Sequence, residues 1–206
     1  MKQDNQYQGL KIHSPLSESN ATYLSQLKTL VDKSIAESTR VIALRFDLRF
    51  PKGYAGDQDK VITKFFESFK AQIKAKDART QKEGKRVYPN RLKYAWVREN
   101  NGAKNDHFHV VIIFNKDAFS FLGDFKSAKI NTAKRIIKAW GSALSYKEGD
   151  SAGSVHFTKT GVYTLDKNDE SYDEAYRLLF YRISYFAKNR TKVFGTGKRS
   201  FGCSSK

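Results

Sequence analysis

Two histidines separated by one residue stand in an apolar segment that predicts a β-strand. His107 and His109 flank Phe108 in the run of residues 106–114. Residues two apart on a strand project from the same face, so the two imidazoles would lie side by side and could bind a divalent cation. The alternative is a pair of ordinary surface histidines, because this spacing is by itself a weak signal.

A carboxylate is expected to join the histidine pair. Residues 91–99 and 107–114 read as two strands around a polar turn, and a turn centred on Ala103 places Glu99 opposite His107. Two imidazoles and one carboxylate leave coordination positions open for water and phosphate, which predicts a catalytic Mg²⁺ or Mn²⁺ site. Asp47 could add a further oxygen, although a salt bridge to Arg45 or Arg49 is the favoured interpretation.

Two tyrosines and a lysine share the polar side of a predicted helix over residues 169–189. On a helical wheel, Tyr181, Tyr185 and Lys188 lie opposite an apolar stripe. A phenol has a free pKa of about 10 and needs a cation nearby to act as a nucleophile. Lys188 or the metal could provide that charge, and attack on DNA would give a covalent phosphotyrosine bond. The alternative is that both tyrosines simply pack against the sheet.

The surrounding elements can be predicted from their hydrophobic periodicity. Residues 41–50 alternate strictly, with apolar side chains on one face and Arg45, Asp47 and Arg49 on the other. The remaining patterns predict helices over 21–38, 58–78, 124 or 127 to 144, and 169 or 171 to 189, and a strand region over 154–166 that is broken at Gly161. This order predicts an α+β fold with a single central antiparallel β-sheet and helices packed mainly on one face.

The charge of the chain predicts a polyanionic partner. Among 206 residues there are 38 Lys and Arg against 21 Asp and Glu, a formal net charge of +17. Such a balance favours nucleic acid and strongly salt-dependent binding, although a merely soluble basic surface is the alternative. The residues predicted to contact DNA are Arg45, Arg49, Arg98, Arg182, Lys192, Lys198 and Arg199.

Domain organisation and compartment follow from the same composition. We expect a flexible polar N-terminus over residues 1–20, one domain over 21–190 and a basic C-terminal tail over 191–206. Cys203 is the only cysteine, which excludes a disulfide framework or a thiolate cluster within one chain. No apolar run could span a bilayer and the polar start lacks a signal-peptide core, so we expect a cytoplasmic protein without a membrane partner.

The motifs resemble those of a known enzyme class. His107-Phe108-His109 resembles the His-hydrophobic-His motif of HUH endonucleases, and residues 185–188 resemble their Tyr-x-x-Lys motif, in the order used by replication initiators. The closest resemblance is to the inovirus-type replication proteins of filamentous phages and prophages. It spans about residues 40–206 and depends on residues 44–49, 96–99, the histidine pair and 181–185.

This resemblance implies an RRM/ferredoxin-like HUH fold and a specific activity. Tyr185, with Tyr181 as a second tyrosine and Lys188 beside them, would nick single-stranded origin DNA through a 5′-phosphotyrosine intermediate. The free 3′ hydroxyl would prime rolling-circle replication, and the enzyme would rejoin strands. The implied partners are single-stranded or hairpin origin DNA and the helicase and polymerase of a bacterial host cell, since no phosphate-binding Gly-rich loop is present.

Other functions fit parts of the pattern. A basic module could bind DNA or RNA without chemistry. A polymerase or primase would need two or three clustered carboxylates, and the polar sheet face offers mainly Asp47 and Glu99. A HUH transposase or plasmid-transfer nickase shares the chemistry and the motifs.

Overall fold

The computed structural model describes residues 5–100, 102, 105–119, 122–123, 130–146, 152–190, 192 and 197–204. Within these ranges the strands are Gln6–Tyr7 (β1), Leu10–Lys11 (β2), Arg40–Arg49 (β3), Lys93–Glu99 (β4), His107–Asn115 (β5), Val155–Asp166 (β6) and Phe201–Cys203 (β7). The α-helices are Ala21–Glu37 (α1), Val61–Lys82 (α2), Thr132–Ala143 (α3) and Tyr172–Ser184 (α4).

The central sheet is antiparallel throughout. Its strand order is β6-β3-β5-β4-β7, and β1 pairs with β2 in a separate small hairpin. Glu99 pairs with His107 and Val97 with His109, which is the register expected from the sequence. The predicted α+β class with a single central antiparallel sheet is confirmed.

The helices are divided between the two faces of the sheet rather than gathered mainly on one. Four apolar side chains on one face of β3 lie in a core with α2 and α3: Ile42, Leu44, Phe46 and Leu48. Val41 and Ala43, on the opposite face, lie in a second core with α1 and α4. The reason is that the N-terminal half of this second face is apolar and must be buried, whereas its other half, beginning at Arg45, is polar.

Most elements begin and end close to their predicted positions. Asn20 caps α1, since its side chain accepts a hydrogen bond from the backbone NH of Tyr23 at 3.0 Å. α3 begins at Thr132 after the cap residue Asn131, and the earlier starts predicted at 124 and 127 lie outside the described residues. β6 is one continuous strand whose pairing with β3 shifts register near Gly161.

Both ends of the described chain contribute to the domain. The stretch predicted to be a flexible N-terminus contains the β1–β2 hairpin, and Ile12 is only 1% exposed. In the predicted basic tail, β7 extends the sheet by pairing with β4. Apolar side chains account for both differences, because Ile12 and Phe201 enter the second core. Of the helices in the described ranges, none is long and apolar enough to cross a membrane.

Candidate active site

Three side chains converge at the polar end of the second sheet face. Oε2 of Glu99 lies 3.3 Å from Nε2 of His109 and 3.9 Å from Nε2 of His107. One ligand atom from each residue lies within 4.8 Å of the others. The pairing of β4 with β5 produces this cluster, because Glu99 and His107 are direct partners and His109 is two residues along the same face.

The far side of the His109 ring is held by a carboxylate. Nδ1 of His109 lies 2.6 Å from Oδ1 of Asp47, its cross-strand partner on β3. A guanidinium nitrogen of Arg45 lies 2.8 Å from the same Nδ1. This nitrogen cannot both donate and accept, and we assign its proton to the shorter contact, with Asp47. An imidazole held in this way by a carboxylate keeps Nε2 directed at a metal position.

Asp47 is therefore a support for His109 rather than a metal ligand. Its carboxylate also forms a 2.5 Å ion pair with Arg45, which is the salt bridge favoured from the sequence. It lies on the opposite side of the imidazole from Glu99, and it does not belong to the group of potential ligand atoms.

Tyr185 brings a phenol to the same carboxylate. Its hydroxyl donates a hydrogen bond of 3.1 Å to Oε2 of Glu99, and its ring lies edge-on to His109 with a centroid distance of 5.3 Å. α4 ends at Ser184, earlier than the predicted residue 189, and Tyr185 begins a short 3₁₀ turn, Tyr185–Ala187. Lys188 follows that turn, with its ammonium 5.6 Å from the centre of the Tyr185 ring.

Lys192 occupies the other side of Glu99. Its Nζ lies 3.6 Å from Oε1 of Glu99, and the lysine side chain is 0% exposed. The ammonium also donates to the backbone carbonyl of Lys188. The two oxygens of Glu99 thus have different neighbours, since Oε2 faces the histidines and the phenol while Oε1 faces a buried cation.

Burial and hydrogen bonding set the protonation of these groups. For His109, burial works against the charged ring, but hydrogen bonds to Asp47 and Glu99 outweigh it and raise the pKa. Burial and the neighbouring His109 lower the pKa of His107. Burial also lowers the pKa of Lys192 to about 8, against the attraction of Glu99. The His107 ring is thus predisposed to the neutral form that binds metals.

The residues present fit a divalent cation. Two imidazole nitrogens and one carboxylate oxygen form a set with open positions, and its mixed nitrogen and oxygen donors suit Mn²⁺ better than the oxygen-preferring Mg²⁺. An octahedral ion with ligands about 2.1 Å away holds neighbouring ligand atoms about 3 Å apart. The separation of 3.3 Å between Glu99 and His109 is already close to that value.

The remaining site residues predicted from the sequence are distributed more widely. Tyr181 is 37% exposed, and its ring lies beside His13 at a centroid distance of 5.9 Å. Arg182 is partly buried on α4. The side chain of Arg49 is 60% exposed at the end of β3. Lys198 and Arg199 lie on the other side of the sheet, in an ion pair with Asp59 and against Trp96 respectively.

Three residues predicted to contact DNA are buried, which corrects that assignment. Arg45 is 7% exposed and pairs with Asp47. Arg98 is 5% exposed and is surrounded by two carboxylates and two backbone carbonyls near the start of α2. Lys192 faces Glu99 instead of solvent. The alternating pattern of a strand does not reveal that its polar face is covered by other elements.

Sequence reasoning also missed His13. Its ring meets the Tyr185 ring edge-on, with a centroid distance of 4.9 Å and an interplanar angle of 86°. Its backbone NH donates to Oγ of Ser184 at 2.8 Å, which fixes the N-terminal segment against the end of α4. No local signal in the sequence marks this contact, because 171 residues separate the two partners.

Comparison with known proteins identifies a family but not an activity. The YagK/YfjJ C-terminal domain model matches residues 2–204. The chain is 35% identical to the uncharacterized protein YagK of Escherichia coli (strain K12) over 191 residues, which cover 88% of this chain and 91% of that protein. It is 32% identical to the uncharacterized protein YfjJ of the same strain over 193 residues, which cover 88% and 93%. No solved structure matches it significantly. The chain belongs to the YagK/YfjJ C-terminal domain family.

Proposed function

We propose that this protein nicks and rejoins single-stranded DNA, with Tyr185 as the nucleophile and Glu99, His107 and His109 as ligands of Mn²⁺ or Mg²⁺. One observation carries the proposal. The Tyr185 hydroxyl donates to the same carboxylate oxygen, Oε2 of Glu99, that faces the two imidazoles. A nucleophile and a metal-binding set that share one atom can act on one phosphate.

The chemistry is an in-line displacement at phosphorus. Oη of Tyr185 attacks, a tyrosine–phosphate bond forms, and the bond between phosphorus and the 3′ oxygen breaks. The phenolic proton passes to solvent water, because a carboxylate oxygen that binds a metal is a poor base, and the departing 3′ oxygen takes a proton from water. A divalent ion bound here would neutralise the non-bridging phosphate oxygens. The 5′-phosphotyrosine bond keeps the energy of the broken linkage, so attack by a 3′ hydroxyl rejoins the strand.

Positive charge near Tyr185 supports this role. Lys188 lies over its ring, Lys192 lies behind Glu99, and the whole chain has a net charge of +17. A strongly basic protein attracts a polyanion and binds it in a salt-dependent way. Tyr185 is also held in place from the N-terminal side by His13. A positioned phenol loses less orientational freedom when it attacks.

The proposal extends to a replication initiator of the HUH class. A nick at an origin would expose a 3′ hydroxyl for rolling-circle synthesis, with unwinding and polymerisation by host enzymes in the bacterial cytoplasm. This part depends on the motif resemblance together with the geometry, and it names single-stranded or hairpin origin DNA as the substrate.

The test is covalent adduct formation on labelled single-stranded DNA with Mn²⁺, compared with EDTA. Wild-type protein should give an adduct that survives denaturation, and Tyr185→Phe should give none while melting at nearly the same temperature. Tyr181→Phe is the matched control, since Tyr181 lies 37% exposed on α4 and its ring lies beside His13. It should keep the first cleavage.

Each outcome has a clear meaning. Adduct from Tyr185→Phe but not from Tyr181→Phe would identify the other tyrosine as the nucleophile. Full adduct from the double variant would refute tyrosine chemistry. DNA binding without adduct from any protein, at any metal concentration, would favour a non-catalytic nucleic-acid-binding module.

A further inference from the structure

We propose that a cationic groove between α2 and the start of β4, on the face opposite Tyr185, binds a segment of single-stranded nucleic acid. Its lining includes Lys70 and Lys74 of α2, Arg91 just before β4, Tyr94 of β4, and Ser204 after β7. The proposal does not require the proposed cleavage activity, because none of these residues belongs to the Glu99, His107 and His109 cluster.

The groove has an excess of available positive charge. Lys70, Lys74 and Arg91 are exposed, and among the described residues none of them forms an ion pair with a carboxylate. The acidic residue in the lining is Asp77, which is already paired with Lys76 at 3.1 Å. Phosphate groups are the complementary ligands for such a surface.

The floor of the groove is aromatic. Tyr94 stacks on Phe66 with ring centroids 3.8 Å apart, and the ammonium of Lys70 lies 5.5 Å from the centre of the Tyr94 ring. Cations that line a groove with an aromatic ring at its base are the usual combination for single strands, since the phosphates meet the cations and a base stacks on the ring.

The dimensions favour one strand over a duplex. The cavity has a volume of about 480 Å³, which lies within the range of roughly 300–1,000 Å³ found for small-molecule sites. A nucleotide can enter a space of this size, whereas the body of a double helix cannot. A duplex would have to lie across the rim and could not reach Tyr94.

A second cavity lies farther along the same helix and extends the path. It has a volume of about 330 Å³ and is lined by Thr63 of α2, Trp96 of β4 and Arg199. The guanidinium of Arg199 lies 5.6 Å from the centre of the Trp96 ring. The helix from Thr63 to Asp77 is about 21 Å long at 1.5 Å per residue. Each of the two cavities has an aromatic ring beside a cation, and the length between them suits a few successive nucleotides.

The experiment measures binding of a fluorescently labelled oligothymidylate at several salt concentrations. The test variant is Lys70→Gln/Lys74→Gln/Arg91→Gln. The matched control is Lys33→Gln/Lys167→Gln/Arg177→Gln, which removes the same charge from exposed positions on α1, the turn after β6, and α4. Thermal melting checks that all proteins fold, and a duplex of equal length is the second probe.

The expected result is a specific loss for the groove variant. Three phosphate contacts contribute about 2 units to the slope of log K against log salt, so the slope should fall by about 2 and affinity at 0.1 M salt should fall on the order of a hundredfold. The control should keep the wild-type slope. Tyr94→Phe should keep the affinity and Tyr94→Leu should lower it about tenfold or more.

Three results would overturn the proposal. The first is an unchanged salt slope in the groove variant, and the second is an equal loss of oligonucleotide affinity in the control variant. The third is an equal loss of duplex affinity in the groove variant, which would indicate that the rim binds the backbone of a duplex. Adduct formation at Tyr185 is measured separately with saturating oligonucleotide. Its presence or absence leaves this result unaffected, so failure of the groove and failure of the catalytic proposal are distinguishable.

Discussion

Replacing Lys192 by methionine should stabilise the protein when Glu99 has first been replaced by glutamine. In the wild-type protein the buried ammonium of Lys192 lies 3.6 Å from Oε1 of Glu99. The Glu99→Gln variant removes the negative charge and leaves the ammonium buried without it. Methionine has a similar length and no charge, so Glu99→Gln/Lys192→Met contains neither half of the ion pair.

The magnitude follows from the pKa of Lys192. Burial lowers this pKa from 10.5 to about 8 even with Glu99 present. At about 1.4 kcal/mol per unit, keeping the charged form in the fold costs about 3 kcal/mol. Without Glu99 the cost rises, but it cannot exceed about 5 kcal/mol at pH 7, because the lysine can then release its proton. Lys192→Met should therefore stabilise the Glu99→Gln protein by about 3–5 kcal/mol.

The pH dependence gives a second check with a defined sign. Because the folded-state pKa of Lys192 is lowered, the unfolded state of the wild-type protein binds more protons between about pH 8 and 10.5, and stability rises with pH over that window. Without Glu99 the folded-state pKa is lower still, so the window in the Glu99→Gln protein begins below pH 8. The advantage of the methionine variant should accordingly shrink as the pH approaches 10.

The assay is urea unfolding at pH 7 in EDTA, so that no metal ion contributes. Lys28→Met is the control, since Lys28 forms a partly exposed ion pair with Asp32 at 2.8 Å and should change stability by at most about 1 kcal/mol. A gain below about 1 kcal/mol for the double variant over Glu99→Gln would refute the reasoning. It would mean that Lys192 is hydrated or turned away from Glu99 in solution.

Three further predictions test other parts of the structure. Asp47→Asn should weaken Mn²⁺ binding about 10- to 100-fold in calorimetry by loosening its 2.6 Å contact with His109, and unchanged affinity would contradict that supporting role. Gly202→Ala would place a Cβ 2.4 Å from an indole nitrogen on β4, so we expect a loss of about 1–3 kcal/mol in chemical unfolding, and a stable variant would show that the edge strand shifts easily. Tyr176→Phe removes a 2.6 Å hydrogen bond to Asp32 and should cost about 1 kcal/mol, whereas no change in the urea midpoint would place that contact outside the folded ensemble.

The sequence by itself determined much of the sheet and the metal-ligand cluster. Strict alternation in residues 41–50 and the short polar turn after Glu99 left few registers in which the apolar side chains are buried together. The predicted pairing of Glu99 with His107 is therefore the observed one. The apolar stripe of α4 could also be predicted from the spacing of neighbouring residues, and its members Leu179, Phe180 and Ile183 are buried.

Only the tertiary structure decided which charged residues are available to a ligand. Arg45 and Lys192 look like exposed cations in the sequence, yet both are buried. Arg45 lies beside Asp47 of its own strand, and Lys192 lies beside Glu99 from a distant part of the chain. The periodicity of apolar residues in the sequence indicates which side of a strand or helix a residue occupies. Whether that residue is buried depends on which other elements pack over that side. The contacts of His13 and Lys192 with the Tyr185 site are set by long-range packing, and no local propensity encodes them.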